Sequence, residues 1–281
     1  MKNLISSLFL VLLFSGINGA FAAPSSVPPL KKVFTIVFEN INFNDAMGQP
    51  YFAKLAKEGA SLNNFFAEIH PSQGNYIAMT AGNTYKINHD RPITLDVKHI
   101  GDLLEAKGKT WKVYAEQYPG DCFKGEFSGK YARKHVPFIS YKSVQTNAAR
   151  CGNLQEAAAL WNDVKNGTVP DYSFYVPDQD NDGHDTDVQF ADRWLERTFG
   201  PLIQNPQFMK DMTLILTFDE DDGGLGNHIY TTFYGDAVNH GAVSGVKYNH
   251  YNMLRTIEDG MGLGNLGQND ATAAPITGIW K

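Results

Sequence analysis

Two runs of residues constrain the architecture of this chain. Val33 to Phe38 and Met212 to Phe218 are unbroken β-favouring stretches with no polar alternation along them. A strand with one wet face alternates, whereas a continuous run marks a strand buried on both faces, as in a sheet covered by helices. Both runs end in polar groups, Phe38 in Glu39-Asn40 and Phe218 in Asp219-Glu220. Further strands are expected over Leu62 to Ala67, Trp111 to Ala115, Tyr172 to Val176 and Ile229 to Tyr234. Helices are expected over Tyr51 to Glu58, Gln73 to Thr80, Ile100 to Lys107, about Asp187 to Ile203 and near Tyr251 to Met261. The alternation predicts an α/β fold, a doubly wound and mostly parallel central sheet flanked by helices. In such sheets ligands sit beyond the carboxyl ends of the strands, which is where Glu39, Ser72, His184 and Asp219 would gather.

The N-terminus carries Lys2, an apolar stretch from Leu4 to Phe14, and Ala20-Phe21-Ala22. That pattern reads as a signal peptide over residues 1–22, with cleavage near Ala22 and a secreted or periplasmic product. The apolar core is shorter than the roughly 20 residues that span a bilayer, so stable membrane insertion is not expected. Residues 23–281 then form one domain. Acids already exceed bases, 30 to 24, and cleavage removes one more lysine, so nucleic acid is not expected as a partner. A monomer acting on a small phosphorylated molecule is. Cys122 and Cys151 would meet an oxidising compartment after export and are expected to pair. Closing a loop of about 30 residues would contribute roughly 3 to 4 kcal/mol in the chain-entropy account.

Three acids aimed at one pocket repel one another and any phosphate unless a cation cancels their charge. Glu39, Asn40, Asp219 and Glu220 offer hard oxygen donors suited to one divalent metal ion. Calcium, magnesium and manganese suit such a set, and recruited histidines would shift it toward zinc. In His70-Pro71-Ser72-Gln73-Gly74-Asn75-Tyr76, Ser72 falls at the start of a helix, where free N–H groups favour an anion. Ser72 is therefore the expected nucleophile. A plain N-cap is the bland alternative. Asn75, one turn on, would donate its amide to a phosphate oxygen. His184, His228 and His250 sit near strand ends or helix starts, where an imidazole can protonate a leaving alkoxide or take a metal. Asn181-Asp182-Gly183-His184-Asp185 lacks the register of a calcium loop and reads as an active-site turn. His89, His99, His135 and His240 have no comparable setting and are left aside.

Glu39-Asn40, His70 to Tyr76, Asn181 to Asp185, Asp219-Glu220 with Gly223 and His228, and Asn249-His250-Tyr251 occur in an order that resembles the phosphoesterase family of acid phosphatases and bacterial and plant phospholipases C. The resemblance spans roughly residues 33 to 262. It implies an alkaline-phosphatase-like sheet with a metal at its carboxyl edge, held by Glu39, Asn40, Asp219 and Glu220. It also implies Ser72 as the nucleophile and His184, His228 and His250 facing the phosphate. The serine and its His-Pro-Ser-Gln context look like the phosphatase branch, while Gly74 stands where a proline is common.

The expected activity is a secreted, metal-dependent acid phosphatase working through a phosphoserine. A phospholipase C-type phosphodiesterase is the nearest rival. A secreted metal- or carbohydrate-binding module is the more distant one.

Overall fold

The computed structural model describes residues 26–224 and 226–281. The expected signal peptide lies outside them. Eight strands form one sheet: β1 (Lys32–Phe38), β2 (Ala60–Leu62), β3 (Trp111–Ala115), β4 (Leu154–Glu156), β5 (Tyr172–Val176), β6 (Met212–Phe218), β7 (Thr231–Gly235) and β8 (Ala242–Ser244). Their spatial order is β8-β2-β7-β6-β1-β5-β3-β4. The five strands from β6 to β4 run parallel, and β6 is buried along its whole length. β7 is antiparallel to both β6 and β2. Only the acidic segment 219–230 joins β6 to β7, too short for the crossover that parallel pairing needs. The sheet is therefore mostly parallel, as its apolar runs imply, with one reversed strand.

Helices cover both faces. On one, Phe34 and Phe38 of β1 meet Phe52 from α1 (Pro50–Glu58) and Phe199 and Trp194 from α5 (Val188–Ile203). On the other, Phe174 of β5 packs on Tyr76 from α2 (Gln73–Ala81) and on Phe138. Such T-shaped ring pairs add about 0.5–1.5 kcal/mol each beyond their area. The remaining longer helices are α3 (Ile100–Ala106), α4 (Ala159–Asn166) and α6 (His250–Met261).

The strand expected over Leu62 to Ala67 is interrupted. Asn63 and Asn64 turn the chain, and only Phe65–Phe66 resumes pairing, in parallel with Tyr248–Asn249. That short ladder brings the start of α6 beside the segment leading to Ser72. Cys122 and Cys151 are joined by a disulfide, with their Cα atoms 5.6 Å apart. No helix among the described residues is long and apolar enough to cross a membrane.

Candidate active site

The register of β1 on β6 sets Phe38 opposite Phe218, so the next residues leave the sheet side by side. The Asp219 N–H donates to the Phe38 carbonyl at 2.9 Å, and the Asn40 N–H to Asp219 Oδ1 at 3.3 Å. Asn40 takes a φ of 48°, a left-handed conformation that asparagine tolerates better than most residues. Asn40 Oδ1 and Asp219 Oδ2 are buried without a hydrogen-bond donor. Buried oxygens left without a donor are costly unless something positive meets them.

Ser72 does not behave as a cap. Its backbone is already helical (φ −44°, ψ −49°) and its hydroxyl makes no capping bond. Asp90 does that work instead, its Oδ1 accepting from the Gln73 N–H at 3.1 Å. The freed Ser72 Oγ lies 3.2 Å from both Glu39 Oε2 and Glu220 Oε1. Gly74 is needed for close packing: a Cβ there would meet Ile69 Cγ2 at 2.7 Å and the Ile87 carbonyl at 3.1 Å.

Asn75 differs from expectation. Its two amide hydrogens go to the Ile69 carbonyl at 2.6 Å and Glu220 Oε2 at 3.1 Å, while its Oδ1 accepts from the Glu68 and Ile69 N–H groups. At the start of α2 it meets the 68–70 loop and braces Glu220, the carboxylate that also accepts from Ser72.

Two buried cations complete the cluster. Lys134 Nζ is 3.4 Å from Ser72 Oγ, and His135 Nε2 is 2.8 Å from Glu39 Oε1. The other ring nitrogen of His135 lies 3.4 Å from Asp182 Oδ2. Both come from a 3₁₀ turn, Arg133–His135, in a region without helical or strand periodicity. The one sequence signal is the setting of Arg133-Lys134-His135 between Tyr131-Ala132 and Val136-Pro137-Phe138-Ile139, a basic triplet flanked on both sides by apolar residues. His135, left aside on sequence grounds, stacks on Tyr76 with ring centroids 5.2 Å apart.

The three expected histidines part company. His184 stands at the rim, its Nδ1 2.7 Å from Asp185 Oδ1 and its ring 6.3 Å from that of His135. His250 is fully buried, with Nε2 2.8 Å from the Asp219 carbonyl, and burial pulls it down to about 4. It fixes the backbone of Asp219 as a neutral ring. His228 is stacked between Phe43 and Phe66, with Nε2 3.0 Å from the Asn63 carbonyl. His70 is the fourth, bridging Glu220 Oε2 at 3.0 Å and Asp221 Oδ1 at 3.2 Å.

Burial opposes the charge on Glu39, but His135, Lys134 and His184 outweigh it and its carboxyl falls to about 2. Burial likewise opposes protonation of His135, and Glu39 with Asp182 raises it to about 9. Asp219 goes the other way, pushed well above the usual range by burial and then by Glu39 and Glu220. Glu220 rises to about 8 through burial and Glu39. The protein's own cations thus neutralise Glu39 and leave Asp219 and Glu220 in need of another. Among the described residues no three His, Cys, Asp or Glu side chains already converge as a ligand set; the acids are turned onto Ser72, His135 and one another. The unpartnered oxygens of Asn40 and Asp219, with the carboxylates of Glu39 and Glu220, nevertheless fit a hard divalent cation in donor type.

A family model described as the Phosphoesterase family matches residues 40–264. The chain belongs to the phosphoesterase family. A phosphate-repressible acid phosphatase of Penicillium chrysogenum is 34% identical over 249 residues, 85% of this chain and 60% of that protein. A phosphatidylinositol-3-phosphatase of Mycobacterium tuberculosis is 34% identical over 263 residues, 92% of this chain and 85% of that one. The chain spans 60–63% of the length of the fungal acid phosphatases it matches. Among solved structures, a protein in the alkaline phosphatase superfamily from Vibrio parahaemolyticus aligns with a TM-score of 0.63 at 14% identity, covering 88% of this chain and 71% of that one. The proteins to which this chain is similar thus include ones named as phosphatases, and its fold is that of the alkaline phosphatase superfamily.

Proposed function

We propose that this protein is a metal-dependent acid phosphatase that hydrolyses phosphomonoesters through a phosphoserine at residue 72. The observation that carries the reading is Ser72 Oγ, released from capping by Asp90 and lying 3.2 Å from two carboxylate oxygens. A hydroxyl in that setting has acceptors for its proton at the moment it attacks. The names of the relatives agree with monoester hydrolysis.

In this mechanism Ser72 Oγ attacks phosphorus in line, its proton passing to the Glu220 carboxylate, and the phosphorus–oxygen ester bond to the leaving alcohol breaks. His184, at the rim and held by Asp185, gives its proton to the departing alcohol. It then takes one from the water that attacks phosphoserine; the bond from phosphorus to Ser72 Oγ breaks, Glu220 returns the proton to Oγ, and phosphate leaves. Lys134 and the N–H groups at the start of α2 meet the phosphoryl charge. A divalent cation held by Glu39, Asn40, Asp219 and Glu220 supplies, when bound, charge neutralisation at those carboxylates and at the phosphoryl group. The donors are all oxygen, since His135 is committed to Glu39 and Asp182, and that favours magnesium, calcium or manganese over zinc. Chelation is expected to abolish turnover and one of those three ions to restore it.

Export belongs to the same reading. It rests on the N-terminal pattern of the sequence and on the Cys122–Cys151 bond, which suits an oxidising compartment.

The test is turnover of p-nitrophenyl phosphate by Ser72→Ala. Loss of about 10⁴-fold or more is expected of a removed nucleophile. A variant that keeps more than about a tenth of the activity contradicts the assignment.

A further inference from the structure

Lys134 differs from the other cations of the site in what it touches. His135 is spent on Glu39 and Asp182, but Lys134 Nζ lies 3.4 Å from Ser72 Oγ, 3.2 Å from Asp90 Oδ2 and 3.9 Å from Glu39 Oε2. Its side chain is only 8% exposed. An ammonium is costly to bury unless paired, and Nζ is paired with Asp90 and stands near Glu39. Asp90 also ties the ammonium to the nucleophile. One of its oxygens caps the helix that carries Ser72 and the other holds Nζ, so a single carboxylate sets the spacing between attacking oxygen and positive charge.

A phosphorus atom in near-attack geometry stands about 3–3.5 Å from the attacking oxygen. One of its terminal oxygens is then within reach of Nζ. A monoester presents three terminal oxygens and, above a second pKa of about 6, two negative charges. A diester presents two such oxygens and one charge, and its third position is a neutral ester oxygen. We infer that Lys134 reads this difference: its ammonium takes the third terminal oxygen of the phosphoryl group and makes the site prefer monoesters to diesters. The inference rests on Ser72 being the nucleophile and adds a residue that sets specificity.

The experiment compares p-nitrophenyl phosphate with bis(p-nitrophenyl) phosphate at pH 7 in the metal-supplemented protein and in Lys134→Gln, Lys134→Arg and Ser72→Ala. Lys134→Gln is expected to lower monoester kcat/KM by about 10²–10³-fold, as for a lost transition-state donor. The diester value should fall by less than about tenfold, so the ratio between the two drops by about tenfold or more. Lys134→Arg, which keeps the charge, should hold the ratio within a few-fold. Equal losses on both substrates, with the ratio unchanged, overturn the inference.

Should Lys134→Gln fail to fold, inhibition of the unaltered enzyme by inorganic phosphate and by dimethyl phosphate decides the matter. Stronger inhibition by phosphate, by about tenfold or more, is expected, and equal inhibition overturns the inference. Ser72→Ala separates the two failures. If it keeps both activities the nucleophile assignment fails, whereas if it loses both while Lys134→Gln leaves the ratio untouched, only the role of Lys134 fails.

Discussion

His135 shows how one buried side chain can hold a site together. It sits between Glu39 and Asp182, all three nearly inaccessible to solvent. Removing the ring leaves two buried carboxyl groups without their cation, and breaking such a pair costs about 3–5 kcal/mol. We predict that His135→Ala lowers the stability measured by urea unfolding by that amount, while His228→Ala, whose ring lies against Phe43 and Phe66 and bonds the Asn63 carbonyl, leaves turnover within a few-fold. For His184 the expected signature is chemical. Its replacement by asparagine should slow hydrolysis of an alkyl phosphate by about 10²–10⁴-fold, the worth of a general acid. p-Nitrophenyl phosphate, whose leaving group needs no proton, should be affected far less. Equal losses on the two substrates would remove His184 from that role. At this scale the sequence was only partly legible. Glu39, Asp219 and Ser72 announce themselves because each directly follows or begins a regular element. His135 and Lys134 come from a 3₁₀ turn whose position depends on tertiary packing, which no local pattern encodes.

The element that matters most is the start of α2. Its first N–H is capped by Asp90, its third residue braces Glu220, and its second is a glycine packed against Ile69 and Ile87. Gly74→Ala would force a methyl group into that contact, and overpacking of this kind costs about 1–3 kcal/mol. The predicted readout is a lower Tm accompanied by reduced kcat, because the displaced Ile69 adjoins His70 and accepts from Asn75. An unchanged Tm would show that the loop gives way freely. Strand and helix boundaries over Trp111–Ala115, Tyr172–Val176 and Met212–Phe218 follow directly from their apolar runs. The reversal of β7 and the break at Asn63-Asn64 were less legible, since both depend on how short a connection is and on which strand it finds. Helical spacing puts Asn75 on the face of Ser72, and both side chains reach Glu220, but only the 68–70 loop decides what else the amide of Asn75 meets.

For the molecule as a whole, several carboxyl groups are buried without enough cations, and this tilts stability toward acid. The clearest case away from the site is Glu258. Burial, then Asp270, raises its carboxyl from 4.5 to about 9. Because the folded state holds that proton more tightly than the unfolded chain, the group's contribution is complete below about pH 4.5 and is lost as pH rises toward 9. One such group changes stability by at most about 1.4 kcal/mol per pH unit. We predict a higher Tm at pH 5 than at pH 8, and a smaller difference in Glu258→Gln, which stays neutral throughout. A variant with the same pH dependence as the parent would place the effect elsewhere.

The proposed chemistry depends on which atom receives the phosphoryl group. Acid quenching during turnover of p-nitrophenyl phosphate, followed by peptide mass spectrometry, reads that atom directly. The account predicts one phosphoryl group on Ser72 and none in Ser72→Ala. Phosphate found on a histidine, or steady turnover with no labelled residue 72 under conditions that preserve phosphoserine, would contradict it.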